Sequence, residues 1–125
     1  MPLNLAGRSR ALNAANRMGI WSTNPGLGAT PAAGELADAP YERKPAVFNE
    51  AVDVAGVAEC QLNANVPVDL HLTNPQNCQF LALFEDDVYL GYIVPSSPRN
   101  FTEPATVRQF VAVATTTKIT ASNAV

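Results

Sequence analysis

The chain has 125 residues, of which 47% are hydrophobic and 15% charged, and it carries a net charge of −3. That length holds one domain with a real core, and that composition excludes a disordered chain. The acidic balance argues against a nucleic-acid binder, no apolar run reaches membrane-spanning length, and the low charge density fits a protein that lives inside an assembly.

Asn4 to Met18 reads as a helix. Asn4 is placed to cap it, and Leu5, Leu12, Ala15 and Met18 or Ile20 fall roughly along one stripe. Arg8, Arg10 and Arg17 are the only charged side chains before Glu35, so this segment is basic while the remainder is acidic. Such asymmetry suggests docking on an acidic surface. Gly7 and the asparagines lower helix propensity, so the helix needs something to pack against. No apolar stretch follows the basic residues, and a secretory leader is not expected. Ile20-Trp21-Ser22 reads as a short strand ending at the turn Thr23-Asn24-Pro25-Gly26. Leu27 to Pro40 is rich in Gly, Ala and Pro and reads as a long extended loop. A loop of that length is expected to be functional or to lie on another chain.

From Tyr41 the pattern becomes all β. Lys44 to Val54 reads as strand, followed by a turn at Ala55-Gly56 and a strand from Val57 to Leu62. Asn65 to Thr73 alternates cleanly: Val66, Val68, Leu70 and Leu72 on one face, Asn65, Pro67, Asp69 and His71 on the other. Pro67 places that strand near a sheet edge. After a turn at Asn74 to Asn77 comes the centre of the chain, Cys78 to Pro95. Gln79 to Phe84 and Val88 to Val94 are apolar on both parities, which implies strands covered on both faces. Glu85-Asp86-Asp87 divides them as a charged hairpin tip. Ser96 to Ala105 reads as a polar, Pro-rich loop, Val107 to Thr115 as a strand, and Thr116 to Ser122 as a last strand around Ile119. Many short strands separated by turns predict a β-sandwich or jelly-roll-like domain.

Residues that could carry chemistry are few. His71 is the only histidine; it lies two positions from Asp69, with no nucleophile elbow in the chain. Glu85-Asp86-Asp87 lacks the spacing of a calcium loop. Gly26-Leu27-Gly28 does not open a basic helix, as a phosphate loop would. Cys60 and Cys78 lack the spacing of a metal site and read as two buried strand thiols, with a disulfide open only if the strands bring them together. No catalytic residue, metal or cofactor is expected, and an enzyme ranks last.

The layout resembles a family of small virion proteins of tailed bacteriophages, labelled head decoration or tail-fibre-like proteins. The resemblance rests on the Asn/Ala-rich segment Ala11 to Asn16, the strand and turn Trp21 to Gly26 and the Gly-rich loop Gly28 to Gly34. It extends to the Tyr-x-Arg opening of Tyr41 to Phe48 and the hairpin Phe80 to Tyr92. The Glu-Asp-Asp tip replaces a longer Gly-rich turn common in that family. The resemblance implies a capsid decoration or cement protein on the outer surface of the virion head, assembled in the host cytoplasm. It would clamp the major capsid protein or another virion protein, as a small homo-oligomer, a trimer, with no nucleic acid and no membrane. In that reading residues 1–40 form a helix and extended arm and residues 41–125 the β-sandwich. Leu5, Arg8, Arg10, Leu12, Arg17 and Trp21 are the partner-binding residues, and the β-domain is expected to fold without the arm. A tail or fibre-attachment component is the alternative, and a carbohydrate-binding β-sandwich ranks third.

Overall fold

The computed structural model describes residues 3–122. Helix α1 spans Leu5–Asn13, followed by β1 (Arg17–Trp21), β2 (Lys44–Pro45), β3 (Val52–Val54), β4 (Val57–Gln61) and β5 (Val66–Asp69). Then come β6 (Gln76–Cys78), β7 (Phe80–Glu85), β8 (Val88–Ile93), β9 (Arg99–Phe101), β10 (Gln109–Ala112) and β11 (Lys118–Ser122). The fold is all-β and sandwich-like with one short helix, as the pattern of short strands and turns predicts. The sheets run β2-β1-β7-β8, β11-β4-β3, β10-β5 and β6-β9, and every pairing is antiparallel.

Asn4 caps α1 as expected, its side chain accepting from the Gly7 N–H at 2.9 Å. The helix stops at Asn13, short of Met18, because the next residues do better as strand. Arg17–Trp21 lies against β7 with Ile20 opposite Leu81 and Met18 opposite Leu83. That register buries Met18 and Ile20 completely, a larger gain than the weak helix propensity around Asn13 and Asn16 can offer. The remaining nine residues are too short to be helical alone and are held by the domain. The Ala51 N–H donates to Ser9 Oγ at 3.0 Å, and Asn13 Nδ2 reaches the carbonyls of Phe48 and Asn49.

Strand β7 is buried on both faces, as its double-parity apolar sequence requires. Leu81 and Leu83 face the main core with Met18, Ile20, Phe48, Cys60, Leu62, Val68, Leu70, Phe110 and Ile119, drawn from all the larger sheets. Ala82 and Phe84 face a second cluster with Trp21 and Tyr89. Strand β8 does not repeat this: it is an edge strand, with Val88 and Leu90 exposed on it and Val94 just beyond. Two apolar parities bury both faces only when other elements supply both covers, and β8 has a neighbour on one side only.

The long loop is not an arm. Residues 22–40 fold back over the outer face of the four-stranded sheet and cover Trp21, whose indole N–H donates to Ala32 O at 2.7 Å. Ser22 and Thr23 bond Gly34 and Ala33, and the Tyr89 hydroxyl donates to Gly26 O. Since β1 is an interior strand between β2 and β7, the division at residue 40 does not separate an arm from a domain. Residues 1–2 and 123–125 lie outside the described residues.

Elsewhere the turns fall where expected. Ala55 and Gly56 both have left-handed φ, 51° and 84°, the conformation a two-residue hairpin between β3 and β4 demands. Lys44 to Val54 yields two short strands around a buried Phe48, with Val47, Val52 and Val54 exposed. The stretch Ser96 to Ala105, read as loop, contains β9, whose partner is β6. Val66, Val68 and Leu70 are buried while Pro67 and Asp69 are exposed, but Leu72 turns out to solvent past the end of β5.

Candidate interaction surface

The six residues expected on a docking arm are distributed by the fold. Arg8 is 7% exposed: its guanidinium donates to the carbonyls of Leu3, Gly56 and Ala121, at 3.1, 3.1 and 3.4 Å. It therefore ties the helix to the β3–β4 turn and to β11 through Nε and Nη1 and lies buried in the fold. Trp21 is 2% exposed and belongs to the outer cluster, with Phe84 at 5.9 Å between ring centroids. Leu12 is half-buried against the main core and Leu5 is half-buried on the helix. Arg10 on α1 and Arg17 at the start of β1 remain exposed. The arm reading fails for Trp21 because the register of β1 on β7 pulls it into the sheet, and for Arg8 because backbone carbonyls of the domain take up its guanidinium.

A cluster that sequence reading missed locks the loop in place. Glu35 accepts from Arg43 Nε at 2.9 Å and Nη2 at 3.1 Å, a two-point pair, and from the Tyr41 hydroxyl at 2.7 Å. The same hydroxyl accepts from the Ile20 N–H at 3.0 Å. Burial lifts the Tyr41 phenol above its ordinary range, and the hydrogen bond to Glu35 holds Arg43 more firmly protonated. The Arg43 guanidinium lies over the Phe84 ring at 3.9 Å and over Trp21 at 5.7 Å. A Cβ on Gly19 would come within 3.0 Å of Tyr41 and Glu35 and within 2.9 Å of Trp21, so the cluster closes on bare backbone. Glu35 as the first carboxylate of the chain, set in a Gly/Ala/Pro-rich loop and followed by Tyr41-x-Arg43, was the available signal.

The chemically suggestive residues are engaged separately. Asp69 accepts from Gln109 at 2.9 Å, and the His71 ring nitrogen Nδ1 accepts from backbone N–H groups of its own turn. Cys60 and Cys78 are free, buried thiols on different sheets. Burial pushes the Cys78 thiol up to about 12, with Arg99 opposing. The acidic tip is part of the fold: Asp86 takes a left-handed φ of 52° and exchanges hydrogen bonds with Asn16, N–H to Oδ1 at 2.8 Å and Nδ2 to Oδ1 at 3.1 Å. Among the described residues no group of three or more His, Cys, Asp or Glu could hold a metal ion, and no helix is long and apolar enough to cross a membrane.

What the surface offers is apolar strand edge. Val88 is 60% and Leu90 45% exposed on β8, and Val94, 61% exposed, follows it; the strand carries no charge and no proline, and its pairing with β7 shifts register once, between Leu83 and Phe84. Beside it runs a groove of about 290 Å³ lined by Leu12, Ala15, Leu83, Leu90, Ile93 and Ile119, between α1, β8 and β11. Val52 and Val54 flank Asp53 on the exposed edge strand β3. No family model, curated protein or solved structure matches this chain.

Proposed function

We propose that this protein is a structural component of a tailed-phage particle, a decoration or cement protein that binds the outside of the head and clamps coat subunits. The observation that supports the reading most is the apolar edge of β8. Soluble proteins usually blunt an exposed edge with charge, proline or a covering element, and a bare apolar edge serves protein contact. With few charges overall, such an edge suits a molecule that spends its life in a lattice of neighbours. Contact runs through the sheet edges, with exposed Arg10 and Arg17 adding a salt-sensitive share, since exposed ion pairs each contribute only about 0–1 kcal/mol. The clamp works as a small oligomer, a trimer, because repeated modest contacts reinforce one another. The test is to add purified protein to particles, pellet them and count bound copies, with Leu90→Lys and Val88→Lys as variants. Hundreds of copies per particle, lost in the edge variants while circular dichroism is unchanged, support the reading. A handful of copies moves the protein to the tail or its fibres, and no binding overturns both.

A further inference from the structure

Two free sheet edges border the groove beside β8. Strand β8 ends the four-stranded sheet, β11 ends the sheet β11-β4-β3, and the groove runs along Gly91 to Ile93 of the first and Lys118 to Thr120 of the second. Backbone N–H and C=O groups need partners, and the outer sides of these edges have none. Among the described residues, the only hydrogen bond to a backbone group of either strand beyond its ladder runs from Arg8 to Ala121 O, past the residues that line the groove. Gly91 keeps the β8 side open. Its φ is 151°, and a Cβ built there would meet no atom within 4 Å. The register of β8 on β7 shifts at this point: Gly91 faces Leu83, Tyr89 faces Phe84, and Leu90 is the extra residue of a bulge. Bare backbone at a bulge marks a place where another backbone can come close. The lining is also neutral, because Lys118 is its one charged side chain and Glu59 takes the ammonium at 2.8 Å.

We propose that this groove receives an extended, uncharged segment of a partner chain, which adds as a strand to β8 and β11 together and joins the two sheets. The chemistry of the edges selects that occupant. A helix spends its backbone hydrogen bonds on itself and would leave both rows unpaired. An extended segment offers N–H and C=O groups to both sides. A charged side chain entering the groove would give up its water with no counter-charge to replace it. Alternate apolar side chains of the segment would meet Leu12, Leu83 and Ile119, and those between them would face solvent. The stretch open on each edge is short, so one such strand binds weakly, and repetition over many copies on a particle raises the total. The donor is a coat subunit. That source rests on the decoration reading; the groove and its preference for a strand do not.

The experiment titrates the intact chain with the capped peptide Val-Thr-Val-Thr-Val, up to millimolar concentration, and follows backbone amides by NMR. Those of Gly91, Ile93, Ile119 and Thr120 should shift together along one binding curve, while those of Val66 and Val68 in β5 stay in place. The same peptide with proline at its centre loses a backbone donor and should bind about tenfold more weakly. Thr120→Lys puts a charge on the β11 edge alone and should abolish the shifts on β8 as well. Shifts confined to β8, or no shifts, overturn the proposal. Shifts of the same amides when the chain alone is concentrated put a second copy in the groove and also overturn it. On particles, hydrogen exchange read by mass spectrometry should show β8 and β11 both gaining protection on binding. Binding that leaves either edge unprotected refutes the coat strand as occupant while the decoration reading stands. Particles that bind no protein refute the decoration reading, and the peptide titration then decides the groove.

Discussion

Replacing Trp21 by alanine puts the sharpest question to this structure. The indole is enclosed by Phe84, Arg43 and the loop of residues 22–40, and its N–H holds Ala32 O at 2.7 Å. Removing so large a buried ring costs about 3–5 kcal/mol in transfer and cavity terms. Leaving a loop carbonyl without its donor adds about 1 kcal/mol more. A loss of about 4–6 kcal/mol would consume much of a typical domain's total of about 5–15 kcal/mol. Trp21→Phe keeps most of the volume and forfeits the hydrogen bond, so it should cost about 1–2 kcal/mol. The assay is urea unfolding followed by far-UV circular dichroism, because Trp21 is the only tryptophan and fluorescence disappears with it. If Trp21→Ala unfolds within about 0.5 kcal/mol of wild type, as ordinary surface changes do, the ring is not enclosed and the account of the loop is wrong.

Other outcomes follow from the same packing. Deleting residues 1–19 removes the helix, Met18 and most of β1, so the truncated chain should show no cooperative unfolding transition by circular dichroism; a sigmoidal transition would show that β1 is dispensable. Leu81→Ala and Phe84→Ala should each cost about 2–5 kcal/mol, one on each face of β7. Asp86→Ala should cost about 1–2 kcal/mol, more than a surface change, because it combines a left-handed backbone with the loss of the Asn16 bond; Asp86→Gly, free of the backbone strain, should cost less in the same urea titration. The Cys78 thiol, raised from 9.0 to about 12, stays protonated in the fold while the unfolded thiol ionises, so its contribution is full below 9.0 and is lost as the pH climbs toward about 12. Iodoacetamide at pH 8 should leave it unlabelled until urea is added, and rapid native labelling would contradict the burial.

The alternation of Val66, Val68 and Leu70, the double-parity run of Phe80 to Phe84, the Asn4 cap and the Ala55-Gly56 turn were all legible in the chain, because each depends on local geometry or on a repeat of two. They suffice for an all-β domain centred on the β7–β8 hairpin. What the sequence could not settle was which neighbour each segment would meet. Arg17 and Met18 looked like the end of a basic helix, with strand beginning only at Ile20; pairing with β7 makes Arg17–Trp21 one continuous strand. The Gly/Ala/Pro loop looked like a long extended segment because its own side chains are small, yet its backbone carbonyls hold it down: Ala32 O takes the Trp21 indole N–H, Gly26 O the Tyr89 hydroxyl, and Gly34 O and Ala33 O the hydroxyls of Ser22 and Thr23. Arg8 and Trp21 read as binders since charge and aromatic surface are the usual currency of interfaces, and whether such a group faces a partner or its own core is a matter of long-range register. Periodicity determines which side chains share a face; only the tertiary structure decides what lies against it, because that depends on residues tens of positions away.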